Sequence, residues 1–192
     1  MLTDPAVRPD RALVGQLRVG VGGRVAAPHT HPVATERFRV IGGQIGFQIG
    51  ADRRVLGPGD QAEVPPGVVH DWWQVGDQEA EVIVDMQPGD RFTEILTTFF
   101  GLVRDGQVNK RGLPHLLQLA VTAHSYRDAM VFKSPPPWLQ RALFAGLTPI
   151  GRALGRRPSY PRYATSDQLD DPDPLVLRLL DEHGRLRWEH LR

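Results

Sequence analysis

Up to about Pro88 the apolar residues fall in short runs separated by glycine and proline turns such as "GPGD" and "VPPG". Gln44–Ile49, Gln61–Val64, Val68–Val75 and Ala80–Met86 read as strands. Their close spacing predicts a β sandwich or barrel. Beyond Gly89 the period changes. Phe92, Ile95, Leu96, Phe99, Phe100 and Val103 recur at helical spacing. So do Leu113, Leu116, Leu117, Ala120, Val121 and His124, and then Leu139, Ala142, Leu143, Gly146, Leu147 and Ile150. These are three amphipathic helices, each expected to bury its apolar stripe. Pro149 is expected to end or kink the third, or to start a short fourth. "SPPPW" is a stiff connector before it. The tail from Asp167 is acidic and proline-rich, then apolar and basic, and reads as weakly helical. The predicted organisation is an N-terminal arm (1–14), a β barrel (15–88), an α-helical extension (89–166) and a tail (167–192). The fold class is β-dominated α+β.

Composition removes several chemistries. The 192 residues suit one domain plus an extension, or two small domains. There is no cysteine, so disulfides, thiolate-ligated zinc and cysteine nucleophiles are excluded. No run of eighteen apolar residues predicts a membrane span. The N-terminus lacks the pattern of a secretory signal, and a cytoplasmic protein is expected. Net charge is +1, which points neither toward nor away from nucleic acid. The charge is split, however. Residues 1–89 hold 8 basic and 11 acidic side chains, and residues 90–192 hold 15 and 11. No acid lies between Asp128 and Asp167, whereas Lys133, Arg141, Arg152, Arg156, Arg157 and Arg162 do.

The chemistry concentrates in "GRVAAPHTHPVATERFRVIGG", Gly23 to Gly43. On a strand, His29 and His31 point to one face, because side chains alternate. Both imidazoles can then reach one ion at about 2.0–2.1 Å. Glu36 has the wrong parity to join them on a straight strand. Pro32 breaks the ladder and turns the chain, so that Glu36 starts the next strand facing back toward the pair. A second segment, "GPGDQAEVPPGVVHDWWQ", places His70 on a strand after a tight Pro-Pro-Gly turn. Trp72 and Gln74 share its face by parity.

These two segments resemble the cupins. The first cupin motif is matched by Gly23, His29, His31, Glu36 and Gly43, and the second by Gly59, Pro65, Gly67 and His70. Gln74 stands where that motif usually has asparagine. The resemblance covers roughly residues 15–88. It implies an antiparallel jelly-roll barrel, with His29, His31, Glu36 and His70 as the ligands of one metal ion. It also implies a homodimer. Three imidazoles and a carboxylate suit a divalent transition metal: Fe(II) is favoured, with Mn, Co, Ni or Zn as alternatives. Two positions of an octahedral ion then stay open.

Absent residues narrow the reaction. Residues 1–89 contain no Lys and no Tyr, and their only histidines are the three of the motifs. A Schiff base inside the barrel is excluded. Tyr126, Tyr160 and Tyr163 remain able to reach the mouth from the extension. What is left is chemistry run by the metal: activating O2, polarising a carbonyl or enolate, or making hydroxide. Parity from Glu36 and His70 turns Phe38, Val40, Trp72 and Gln74 inward, a mostly apolar lining for a small hydrophobic or aromatic molecule. The expectation is an O2-dependent, dioxygenase-like oxidoreductase. A non-redox cyclase or isomerase and a non-catalytic small-molecule binder are the alternatives.

The extension is expected to pack on the barrel and against a dimer partner, or to lid the mouth. No helix reads as a DNA-recognition helix, so no nucleic-acid partner is expected. Within 136–157, Trp138, Leu139, Leu143, Phe144 and Leu147 with flanking arginines resemble a membrane-surface segment. A packed helix with a basic solvated face is the preferred reading.

Overall fold

The computed structural model describes residues 10–25, 27–110, 112–164 and 174–187. Most of the predicted arm, the acidic start of the tail and the last five residues lie outside that set.

Eight strands precede the first helix: β1 (Leu13–Val19), β2 (His29–Thr30), β3 (Thr35–Gly42), β4 (Gln44–Ile49), β5 (Asp52–Leu56), β6 (Gln61–Val64), β7 (His70–Val75) and β8 (Ala80–Gln87). Then follow α1 (Asp90–Arg104), α2 (Leu116–Ser125), β9 (Val131–Phe132), α3 (Pro137–Ala153), a 3-10 turn (Pro161–Tyr163) and the single turn α4 (Pro174–Leu177). The strands form two antiparallel sheets, ordered β1-β8-β3-β6 and β5-β4-β7-β2-β9. This is the expected antiparallel β barrel with a helical extension. One feature is new: β9 comes from the extension and forms an edge of the second sheet.

Alternation builds the core. On β3, Glu36, Phe38 and Val40 are buried, while Arg37, Arg39 and Ile41 are less so. Phe38 meets Phe47 of β4 across the sandwich, with ring centroids 4.9 Å apart. They are joined there by Val40, Ile45, Val64 and Val82. At the β3–β4 turn, Gly43 has φ of 62°, and a Cβ there would overlap the Glu79 carbonyl; only glycine fits.

β8 does not alternate; both of its faces are buried. Val82 faces the barrel core, whereas Ile83, with Val14 of β1, packs on Val176, Leu180 and Leu186 of the tail. Arg185 seals that face. Its guanidinium donates to both carboxylate oxygens of the buried Asp85 at 2.9 and 3.0 Å. Where described, the tail is therefore a strap across the outer face of the first sheet, with one helical turn.

The extension packs on the barrel at one end. Phe92 and Ile95 of α1, with Tyr126 and Ala129, cover Leu13, Ala34 and Met86. The third helix departs from expectation. It continues through Pro149 to Ala153, and its buried positions are Gln140, Phe144, Thr148 and Gly151. Leu139, Leu143 and Ile150, the stripe expected to be buried, are exposed. The face turned inward is one with small or polar residues that satisfy each other and nearby backbone: Gly151 lies against Val121 and the Leu117 carbonyl, and Gln140 donates to the carbonyls of Phe132 and Pro135. Gln118 and Thr122 of α2 are buried, and Thr148 Oγ1 donates to the carbonyls of Phe144 and Ala120 at 2.6 and 3.3 Å.

Candidate metal centre

The local fold delivers each of the four side chains. β2 lies beside β7, with His29 opposite His70. His31 follows β2 directly. Its carbonyl accepts from Gly67 N at 2.8 Å, and φ of 78° at Gly67 turns that N–H toward it. The turn before His70 is thus tied to the backbone of His31. Glu36 comes from β3 in the opposite sheet, paired with Met86 and Val64.

His29, His31, Glu36 and His70 are all buried, and one ligand atom from each lies within 4.8 Å of the others. The imidazole centroids are 4.3 to 5.1 Å apart. Each ring is held from behind. His29 Nδ1 donates to Ala27 O at 3.0 Å, His31 Nδ1 to Ala129 O at 3.0 Å, and His70 Nδ1 to Val68 O at 3.3 Å. A carbonyl can only accept, so Nδ1 carries the proton and each Nε2 is turned to the centre.

The centre is short of partners. His31 Nε2 and His70 Nε2 lie 3.2 and 3.0 Å from Glu36 Oε2. Yet none of these three buried atoms makes an aligned hydrogen bond. Lone pairs that close to a carboxylate oxygen repel unless a proton or a cation stands among them. Cis ligands of an octahedral ion with bonds of about 2.1 Å are about 3.0 Å apart, which matches these spacings. The group fits a divalent metal ion by donor type, orientation and orphaned atoms.

Electrostatics keep His29 and Glu36 in their ligating forms, whereas His31 holds a proton more readily when no cation is present. Burial and the neighbouring His70 and His31 push the His29 imidazole down to about 3, so it is neutral and available as a ligand. Burial alone would raise the Glu36 carboxyl, but the imidazoles of His31 and His70 outweigh it and hold it well below the usual carboxylate range. Burial likewise works to lower His31, and Glu36 overcomes this and raises it.

The other residues of the expected lining face inward, and their contacts are with the barrel core or with the turns beyond β7. Phe38 and Val40 are sealed in the barrel core. Trp72 is half-buried against the same core. Gln74 stands four residues beyond His70 on β7, roughly 13 Å along an extended strand. Its amide donates to the carbonyls of Val75, Gly76 and Gln78 and accepts from Gly22 N at 2.8 Å. It braces turns at the far end of the strand. The tyrosine hydroxyls are also engaged elsewhere: Tyr126 with Glu94, Tyr160 with Gln118 and Tyr163 with Asp105.

Two contributors are invisible in the motifs. The carbonyl of Ala129 sets the tautomer of His31, and the Phe92 ring stands edge-on to it, with centroids 4.7 Å apart. Both belong to the extension. A backbone carbonyl leaves no mark in sequence, and Phe92 reads as one more member of a helical stripe.

Residues 15–90 match the family model described as Cupin domain. That segment is a cupin domain. The chain is 35% identical over 86 residues to germin-like protein 3-8 of Oryza sativa subsp. japonica. The match covers 42% of this chain and 38% of that protein, so the chain spans well under half of that relative's length. Among solved structures, it is similar to an uncharacterized conserved protein with a double-stranded β-helix domain from Klebsiella pneumoniae subsp. pneumoniae. That match has 25% identity and a TM-score of 0.40, covering 44% of this chain and 73% of that one. A sugar phosphate isomerase from a cupin superfamily, from Silicibacter pomeroyi, is 23% identical with a TM-score of 0.38. It covers 40% of this chain and 50% of its own.

Proposed function

We propose that this cupin-domain protein is a mononuclear metal-dependent enzyme that oxidises a small, apolar or aromatic organic molecule with O2. The observation that carries the reading is the convergence of three imidazole Nε2 atoms and one carboxylate oxygen, all buried, with each Nδ1 engaged by a backbone carbonyl. When bound there, a divalent ion supplies Lewis acidity and, if it is iron, the redox chemistry that O2 requires.

The chain's own part is positioning. Three carbonyls hold the imidazoles in the ligating tautomer, which preorganises the set before any ion arrives. Burial keeps His29 neutral, and the imidazoles keep Glu36 ionised. Glu36 alone brings negative charge, so a divalent ion keeps net positive charge there. That would favour an anionic or enolisable substrate at a bound ion. With neither Lys nor Tyr in residues 1–89, the barrel has few groups of its own for proton transfer. This supports chemistry run at the ion over side-chain acid–base catalysis.

The test is oxygen uptake by iron(II)-loaded protein against a panel of catechols and 1,3-diketones. Saturable uptake that is lost in His70→Ala supports the reading. Turnover of any of them without oxygen overturns the oxidative reading in favour of a cyclase or isomerase. Saturable binding with no turnover of the panel leaves a binding protein.

A further inference from the structure

The outer face of α3 is built in reverse. At about 100° per residue, its exposed positions from Trp138 to Leu154 sweep roughly half the helix circumference. That arc holds Trp138, Leu139, Leu143, Ile150 and, at the C-cap, Leu154, exposed by 69, 39, 41, 52 and 66%. Between them stand the exposed small residues Ala142, Ala145, Gly146 and Ala153. No charged residue falls within the arc. Arg141 and Arg152 sit on one of its borders, Lys133 precedes the helix, and Arg156 and Arg157 follow it. Among the described residues none of these five basic side chains forms an ion pair. Arg141 also lines a small cleft with Arg127 and His124, and no acidic residue lines that cleft.

We propose that this face docks the protein on an anionic lipid surface. Charge decides among the occupants. A wide apolar face edged only by cations, with a tryptophan at one end, complements a bilayer of negative headgroups and acyl chains. A second copy fits poorly. An antiparallel pair centred between Gly146 and Leu147 sets Arg141 of each copy against Arg152 of the other, like charge on like. The helix is not a span: no described helix is long and apolar enough to cross a membrane. It lies in the surface plane, and the cleft beside Arg141 offers a headgroup phosphate a cationic seat.

The experiment is flotation of the full chain with vesicles of phosphatidylcholine alone and with about a third phosphatidylserine. The proposal expects capture by the anionic vesicles only, reversed by high salt. It expects about fivefold weaker capture for each of Arg141→Gln and Arg152→Gln, since each basic side chain near the surface adds about 1 kcal/mol. Leu143→Glu with Ile150→Glu should abolish capture while metal content and melting temperature stay unchanged, because both sites are exposed. Should that pair unfold, the arginine variants carry the test. No capture, or equal capture by both vesicles, overturns the proposal. So does a dimer that Leu143→Glu dissolves, which would assign the face to a second copy.

Discussion

His31 Nδ1 donates to the carbonyl of Ala129, 3.0 Å away across 98 residues of chain. That hydrogen bond joins a ligand of the barrel to the backbone of the extension. The same segment runs on into β9, where Phe132 pairs with His29, and Lys133 N donates to Pro28 O at 2.9 Å. The extension is therefore part of the metal centre's supporting shell.

Removing one strut should loosen the ion. Lys133→Pro deletes the N–H that holds the strand end to Pro28. Its expected effect is roughly 10- to 100-fold weaker metal binding, the scale of losses when the groups behind a ligand are disturbed. Lys133→Ala keeps the N–H and should bind as the parent does. Chelator competition on both variants measures this. Equal affinity would mean that the extension does not hold the site.

Gln74 should behave in the opposite way. Its amide bonds only to backbone around the turns at the far end of β7. Gln74→Ala removes these hydrogen bonds to partly exposed backbone groups, so a loss of about 1 kcal/mol in urea unfolding is expected. Metal affinity, measured in parallel, should not move. A variant of native stability with impaired metal binding would return Gln74 to the site.

Acid should destabilise the metal-free protein. His29 titrates at its ordinary 6.5 when unfolded but near about 3 when folded. Between these values the unfolded chain binds the extra proton, so stability rises with pH. The His29 contribution is complete above 6.5 and is lost as pH falls toward about 3. Glu36, depressed in the fold, acts in the same sense: its share is present above 4.5 and is lost as pH falls through the folded value. His31 is raised, so its share is present below 6.5 and fades as pH rises above that. Urea midpoints across this range should fall on acidification, and more shallowly in His29→Phe. A flat wild-type profile would contradict the assignment.

The barrel was legible because its signals are local. β4 and β6 coincide with the runs read from alternation, and turns such as Pro65-Pro66-Gly67 announce themselves by residue type. His29, His31, Glu36 and His70 were legible because ligand chemistry resides in side chains at fixed spacing. The helices were legible as helices, but the burial of α3 was not. Periodicity locates an apolar stripe, yet Thr148 finds the Ala120 carbonyl of α2 and Gln140 the carbonyls of Phe132 and Pro135, so these polar residues turn inward and the leucines outward. The strap was hidden for a related reason. Arg185 and Asp85 are 100 residues apart, and nothing in either neighbourhood names the other.

The most direct measurement is elemental analysis of untagged protein, purified without added metal, beside His70→Ala. His70 Nε2 is a buried atom with no aligned hydrogen-bond partner, aimed at Glu36. The account predicts close to one divalent transition-metal ion per chain in the parent and a near-complete loss in the variant, with the variant still folded by circular dichroism. A parent that stays metal-free after reconstitution, or a variant that keeps its metal, would contradict it.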